Sequence, residues 1–136
     1  MSKSNPFAGK SLINCVIAEE STVNGLLLTG MGQRSKNGES NYLIVTKDTT
    51  DADLEKEFSR MIDSPEVGII FISQTVAERV RNMIVEHNEN DEKLLPTIME
   101  IPSKDAPYDP TKDSMLVAAA TRLYGGEAGL EKLRVD

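Results

Sequence analysis

The sequence predicts an α/β domain built on a four-stranded parallel sheet with helices on both faces. Three observations predict it. Short apolar runs rich in β-branched residues recur at 12–18, 42–46, 67–72 and 97–101, as expected of strands buried on both faces. Apolar residues at helical spacing fill the stretches between them. The two patterns alternate as β-α-β-α-β-α-β-α, which a parallel sheet with crossover helices explains most simply.

Each element has its own signals. Residues 1–10 are polar, with Pro6 and Gly9, and read as a flexible leader. Leu12 to Ala18 is the first strand. Ser21 or Thr22 can cap the helix that follows, because a hydroxyl accepts from the free amides of a first turn. Val23, Leu26 and Leu27 give that helix its apolar face, and Gly30 and Gly32 end it. The connection 30–41 is long and polar, a length often tied to function or mobility.

Tyr42 to Thr46 is the second strand. Thr50 and Asp53 make a capping-box-like start to a helix whose Leu54, Phe58, Met61 and Ile62 share one face. Asp51, Asp53 and Glu55 crowd its first turns, where the helix dipole favours anions. Ser64-Pro65 stops it. Val67 to Ile72 is the third strand. Thr75 and Glu78 form a capping box, and Val76, Val80, Met83 and Ile84 carry the stripe until polar residues 86–93 break it. Thr97 to Ile101 is the fourth strand, between Pro96 and Pro102.

The α/β domain thus spans 11–102, a proline-punctuated linker 103–109, and a C-terminal helical segment 110–136. Asp109-Pro110 reads as a helix start, a capping carboxylate followed by proline at the first helical position. Met115, Leu116, Ala119 and Leu123 line one face, Gly125-Gly126 ends the helix, and Glu127 to Arg134 reads as a frayed turn.

Right-handed crossovers restrict the sheet, and the commonest solution is order 2-1-3-4, as in flavodoxin-like folds. Ligands of such sheets bind outside the strand carboxyl ends at the switch point between strands one and three. Here Glu19, Glu20, Ser73 and Gln74 fall at that point. No Gly-x-Gly-x-x-Gly follows the first strand, two carboxylates would repel phosphate, and Gly30-Met31-Gly32 follows a helix. The place is a poor nucleotide cradle.

Composition narrows the function classes further. The chain has 136 residues, 39% hydrophobic and 27% charged, with net charge −7. That describes one soluble domain with a real core. The acidic balance and the scatter of the basic residues disfavour nucleic acid and anionic lipid. Cys15, the single cysteine, cannot form an internal disulfide, which fits a reducing compartment. No apolar run is long enough for a membrane helix, and Met1 to Gly9 lacks a signal-peptide core. A cytosolic protein that reaches membranes only through partners is expected.

Catalytic readings find little. Glu19 and Glu20 after the first strand, with Lys104, are reminiscent of receiver domains. A receiver, however, needs an acceptor aspartate where this chain has Ile72-Ser73-Gln74. His87, the single histidine, continues the apolar stripe or sits at a helix end. It has no partners at triad spacing, so a small hydrolase is disfavoured. Cys15 lies in apolar company and is expected to be inert. No Cys/His cluster would hold a metal, and no cofactor is expected.

The C-terminal helix is more informative. Its stripe carries Ala118-Ala119-Ala120, small side chains that let another helix come close. The face can equally cover the fourth strand of its own sheet. The prolines before it favour a semi-detached helix.

Ile101-Pro102-Ser103-Lys104 … Pro107-Tyr108-Asp109 … Lys112-Asp113-Ser114 resembles a specific segment of the F subunits of eukaryotic vacuolar-type proton-pumping ATPases. Thr22-Val23 … Gly25 … Leu27 … Gly30 … Gly32, Asn41 to Val45 with Lys47 to Thr50, and Gly68-Ile69-Ile70 … Ile72-Ser73-Gln74 … Ala77-Glu78 … Val80-Arg81 are similar to other parts of that family. The resemblance covers roughly 12–122; residues 33–40 and the tail after Tyr124 depart from it.

It implies a non-catalytic central-stalk component. Such a protein pairs with the helical hairpin of the D subunit and turns inside the hexamer of catalytic and non-catalytic subunits. It sits above the stalk base of the membrane sector, on the cytosolic face of vacuolar or endosomal membranes. On this expectation Met115, Leu116, Ala119 and Leu123, with Asp113 of the Lys-Asp-Ser segment beside them, bind the partner.

Overall fold

The computed structural model describes residues 9, 11–32 and 38–134. Most of the expected leader 1–10, and the centre of the 30–41 connection, lie outside the described residues. The elements run β1 (Ile13–Ala18), α1 (Glu20–Leu28), β2 (Tyr42–Ile44), α2 (Asp51–Asp63), β3 (Val67–Ser73), α3 (Gln74–Arg79), α4 (Arg81–Glu89), β4 (Thr97–Ile101), α5 (Ser114–Tyr124) and α6 (Gly126–Leu133). The four strands are parallel in order β2-β1-β3-β4, as the alternation predicts.

The core follows from this order. Strands β1 and β3 are central, so their side chains are buried on alternating faces. On one face Cys15, Ile17, Ile70, Ile72 and Ile98 pack with Leu54, Phe58 and Met61 of α2 and with Val76, Ala77, Val80 and Ile84. On the other, Val16 and Ala18 pack with Val23 of α1, flanked by half-buried Leu26, Leu27 and Phe71. Three helices therefore cover one face and α1 covers the other.

Several helix boundaries differ from the local signals. Helix α1 starts at Glu20, with Glu19 at its cap and Ser21 and Thr22 already inside it; the Glu19 side chain makes no cap bond. Its Oε1 instead accepts from the Lys104 amide at 2.6 Å, a tertiary partner that local reading does not see. Strand β2 is three residues long. Val45 still donates to the Ala18 carbonyl at 2.9 Å, but Thr46 turns away, its amide bonding Thr49 Oγ1 at 3.0 Å. The Thr50 cap holds: its Oγ1 accepts from the Asp53 amide at 3.1 Å.

The expected Thr75/Glu78 capping box does not form. The helix starts one residue after Ser73, Glu78 pairs with Arg81 at 3.3 Å, and Thr75 is served by Ser103. Ser103 Oγ accepts from the Thr75 amide at 3.0 Å and lies 2.9 Å from its hydroxyl. The helix breaks at Val80 (φ −120°, ψ 22°) and resumes as α4. It then continues into the polar residues as far as Glu89 because Ile84 and His87 keep a buried line. His87 is both packed and in the last turn, its Nε2–H donating to the Pro96 carbonyl at 2.7 Å.

Cys15 lies in the core at 1% exposure, and burial pushes its thiol up to about 11. The thiolate is the reactive form. Iodoacetamide at pH 8 is therefore expected to leave the folded chain unmodified for hours and to label it fully in denaturant, read by mass spectrometry. Rapid labelling of the folded chain would contradict the buried placement.

Candidate partner-binding face

The C-terminal helix does not begin at Asp109-Pro110. The Asp109 carboxylate is used locally, accepting from Thr111 N at 3.0 Å and Thr111 Oγ1 at 2.6 Å. These donors hold its carboxyl below the usual carboxylate range. The cap of α5 is Asp113, four residues on. Its Oδ1 accepts from Met115 N at 3.0 Å and Leu116 N at 3.3 Å, the free amides of the first turn. Its Oδ2 accepts from the Tyr108 hydroxyl. Burial, together with this bond to an anion, raises the Tyr108 phenol well above its ordinary value. Asp113 is buried, so its role within the chain is to start α5 and to pin Tyr108.

The stretch 103–109 carries several ties to the carboxyl end of the sheet. Ser103 serves Thr75, the Lys104 amide donates to Glu19, and Ser103 bridges Ala106. Gln74 reaches across and bonds the Asp109 backbone twice. Burial acts to raise the Glu19 carboxyl, but the Lys104 amide, its own amide and nearby hydroxyls more than reverse this and hold it low. The crevice at the switch point, about 650 Å³, is lined by Glu19, Glu20, Lys47, Thr75 and Lys104. Strand β3 ends in Ser73 followed by Gln74, both buried. There is no acid there for phosphoryl transfer.

Helix α5 is buried only at Ala120. That residue faces α6, where Gly129 lies so close that a Cβ would stand 2.6 Å from the Ala120 carbonyl oxygen. The alanine run thus does permit a close helix approach, and within the chain α6 makes it. Gly125, at φ 77°, gives the reversal between the helices. Asn88 of α4 donates to Ser114 Oγ at 3.2 Å, a further anchor at the other end.

The sequence-predicted face is left open. Met115 is 46% exposed, Leu116 38% and Leu123 77%, and Ala119 is exposed beside them. Spacings of three, four and seven put Leu116, Ala119 and Leu123 on one side of a helix. Large apolar groups clustered on a single helix face are the usual mark of a binding surface. Tyr124 and Leu130 extend the apolar character toward α6; their spacing from the main stripe was a weaker signal. No helix among the described residues is long and apolar enough to cross a membrane.

A doubly wound parallel sheet followed by a helix with an open apolar face defines an α/β domain. Residues 15–118 match the family described as ATP synthase (F/14-kDa) subunit. The V-type proton ATPase F subunit of Homo sapiens is 42% identical over 109 residues, 80% of this chain and 88% of that protein. The probable V-type proton ATPase F subunit of Caenorhabditis elegans is 43% identical over 109 residues, covering 80% and 87%. That of Dictyostelium discoideum is 42% identical over 102 residues, covering 75% and 82%. The chain belongs to the family of V-type proton ATPase F subunits.

Proposed function

We propose that this chain is a non-catalytic rotor component of the V1 sector. It binds the D subunit through the open face of α5 and couples ATP hydrolysis elsewhere in the complex to proton transport. The observation that carries this reading is the exposure of Leu116 and Leu123 on a helix that follows a buried cap and a strap, residues 103–109, tied to the sheet. A helical hairpin is the natural complement, since an apolar stripe at i, i+3, i+7 seats against another helix. In this reading the hexamer surrounds the pair, and the α/β domain lies toward the stalk base. The chain reaches the cytosolic face of vacuolar or endosomal membranes through the assembly alone.

The test is binding to the D subunit. Leu116→Asp with Ala119→Asp would bury unpaired charge against the partner, and partner-stripped carboxylates are costly. The double variant should bind roughly 100-fold more weakly, measured by calorimetry, while its circular dichroism matches the parent. Parent-like affinity would remove α5 from the interface.

A further inference from the structure

Gln74 is the first residue of α3 and is buried. Its side-chain amide does what a strand does. Oε1 accepts from the Asp109 backbone amide at 2.7 Å, and Nε2 donates to the Asp109 carbonyl at 2.8 Å. Nε2 also lies 3.4 Å from Glu100 Oε1. Glu100 is in turn held by Arg81, at 2.7 and 2.9 Å. A side chain anchored from behind by a buried ion pair therefore grips both polar groups of one strap residue.

That residue lies four positions before the α5 cap. Asp109 closes its own turn onto Thr111, and Asp113 closes the next onto Tyr108 and the first amides of α5. The grip at Gln74 thus passes through two short, internally bonded turns to the start of the helix. The other ties on α5 are the Asn88 amide of α4 on Ser114 and the packing of Ala120, its one buried residue, against α6.

We infer that Gln74 is a positioning residue for the partner-binding face: its two-way bond to Asp109 sets where the N-terminal end of α5 stands beside α4. This deepens the proposed function and rests on α5 being the binding face. Gln74 touches no partner; it acts through the strap. An amide does this without charge at every pH, because the site needs a donor and an acceptor side by side.

Two substitutions test it. Gln74→Leu keeps the bulk and removes both bonds, leaving the Asp109 amide and carbonyl without their partner. Affinity for the D subunit should weaken roughly tenfold. Hydrogen exchange should quicken in α5 and leave β1 and β3 protected. Gln74→Glu sets a carboxylate beside Glu100 and against the Asp109 carbonyl, so it should bind poorly at pH 8. When protonated, that carboxyl again has one acceptor and one donor, and the bridge can re-form.

The groups bonded to Gln74 are Glu100 on β4 and Asp109 of the strap; behind them stand Arg81 of α4 on Glu100, and the Tyr108–Asp113 pair at the α5 cap. They are common to all variants, so each affinity is taken relative to the parent at the same pH. The Glu variant should recover toward parent affinity between pH 8 and pH 5.5, and the Leu variant should not.

Three results would overturn the inference. One is a Leu variant that binds like the parent while the Leu116/Ala119 variant does not. Another is loss of protection in β1 and β3, which would make Gln74 a sheet residue and not a helix-positioning one. The third is a Glu variant with no recovery in acid. If the Leu116/Ala119 variant also binds like the parent, the interface reading itself is what fails.

Discussion

Arg81→Ala is expected to lower the unfolding free energy by about 3 kcal/mol. Its guanidinium meets both oxygens of Glu100, whose side chain is only 2% exposed. Burial acts to lower the Arg81 pKa, but the bonds and charge of Glu100 and Glu78 raise it overall. Removing the cation leaves a carboxylate in the wall between α4 and β4 with only the long 3.4 Å bond from the Gln74 amide. That penalty comes chiefly from the stranded charge, and the net worth of the intact pair is smaller. The companion change separates the two. Arg81→Met with Glu100→Leu should recover most of the loss, although it removes more polar contacts. Urea unfolding of the parent, the single and the double variant is the measurement. A double variant less stable than Arg81→Ala would show that the pair itself carries the stability.

Phe58→Ala is expected to cost about 4 kcal/mol. Phe58 is fully buried in the larger cluster, on the α2 face that meets β1 and β3. The loss combines the transfer of a benzyl group out of water contact with the cavity left by neighbours that relax only partly. A domain of this size has total stability on the order of 5–15 kcal/mol, so the variant should unfold at a much lower urea midpoint with an unchanged slope. Phe58 lies away from the open face of α5, whereas Arg81 holds Glu100 behind Gln74. The Phe58 variant, when folded, should bind the D subunit as the parent does, so for it stability and binding can be read apart.

The sheet was legible because its signals are local and repeated. Four apolar runs separated by helical stripes leave few topologies, and the strand order followed from the handedness of crossovers. The helix starts were less legible for one physical reason. Thr75 with Glu78, and Asp109 with Pro110, are good local signals, but each polar group takes another partner, near or far along the chain. Thr75 is served by Ser103 and Glu78 is drawn to Arg81. Asp109 is held by Gln74, leaving Asp113 to cap. The Thr75–Ser103 and Gln74–Asp109 pairings exist only once the sheet brings the carboxyl ends of β3 and β4 together.

The candidate face shows the same division. The stripe Met115, Leu116, Ala119, Leu123 could be read from spacing. Which side of α5 its own chain would cover could not, because that depends on Gly129 seating against the backbone of Ala120. The segment read as a frayed turn is the helix that makes this contact. Gln74 appeared in a recognisable Ile-Ser-Gln run, but nothing local to it pointed to Asp109.

The strand order also bears on the sequence of events in folding. Ile13 pairs with Val67 and Val16 with Phe71, so β1 cannot gain its central neighbour until α1, β2, α2 and β3 have all left the ribosome. Non-local parallel pairing of this kind is slow, because loop closure precedes any gain from contact. The strap then needs β3 and β4 in place before Glu19, Gln74 and Thr75 can receive it. The pair α5 and α6 is accordingly the last to find its place in a chain made from its N-terminus, and the first to let go when the domain opens locally. A nascent partner hairpin would meet the sheet already closed and the helix still settling.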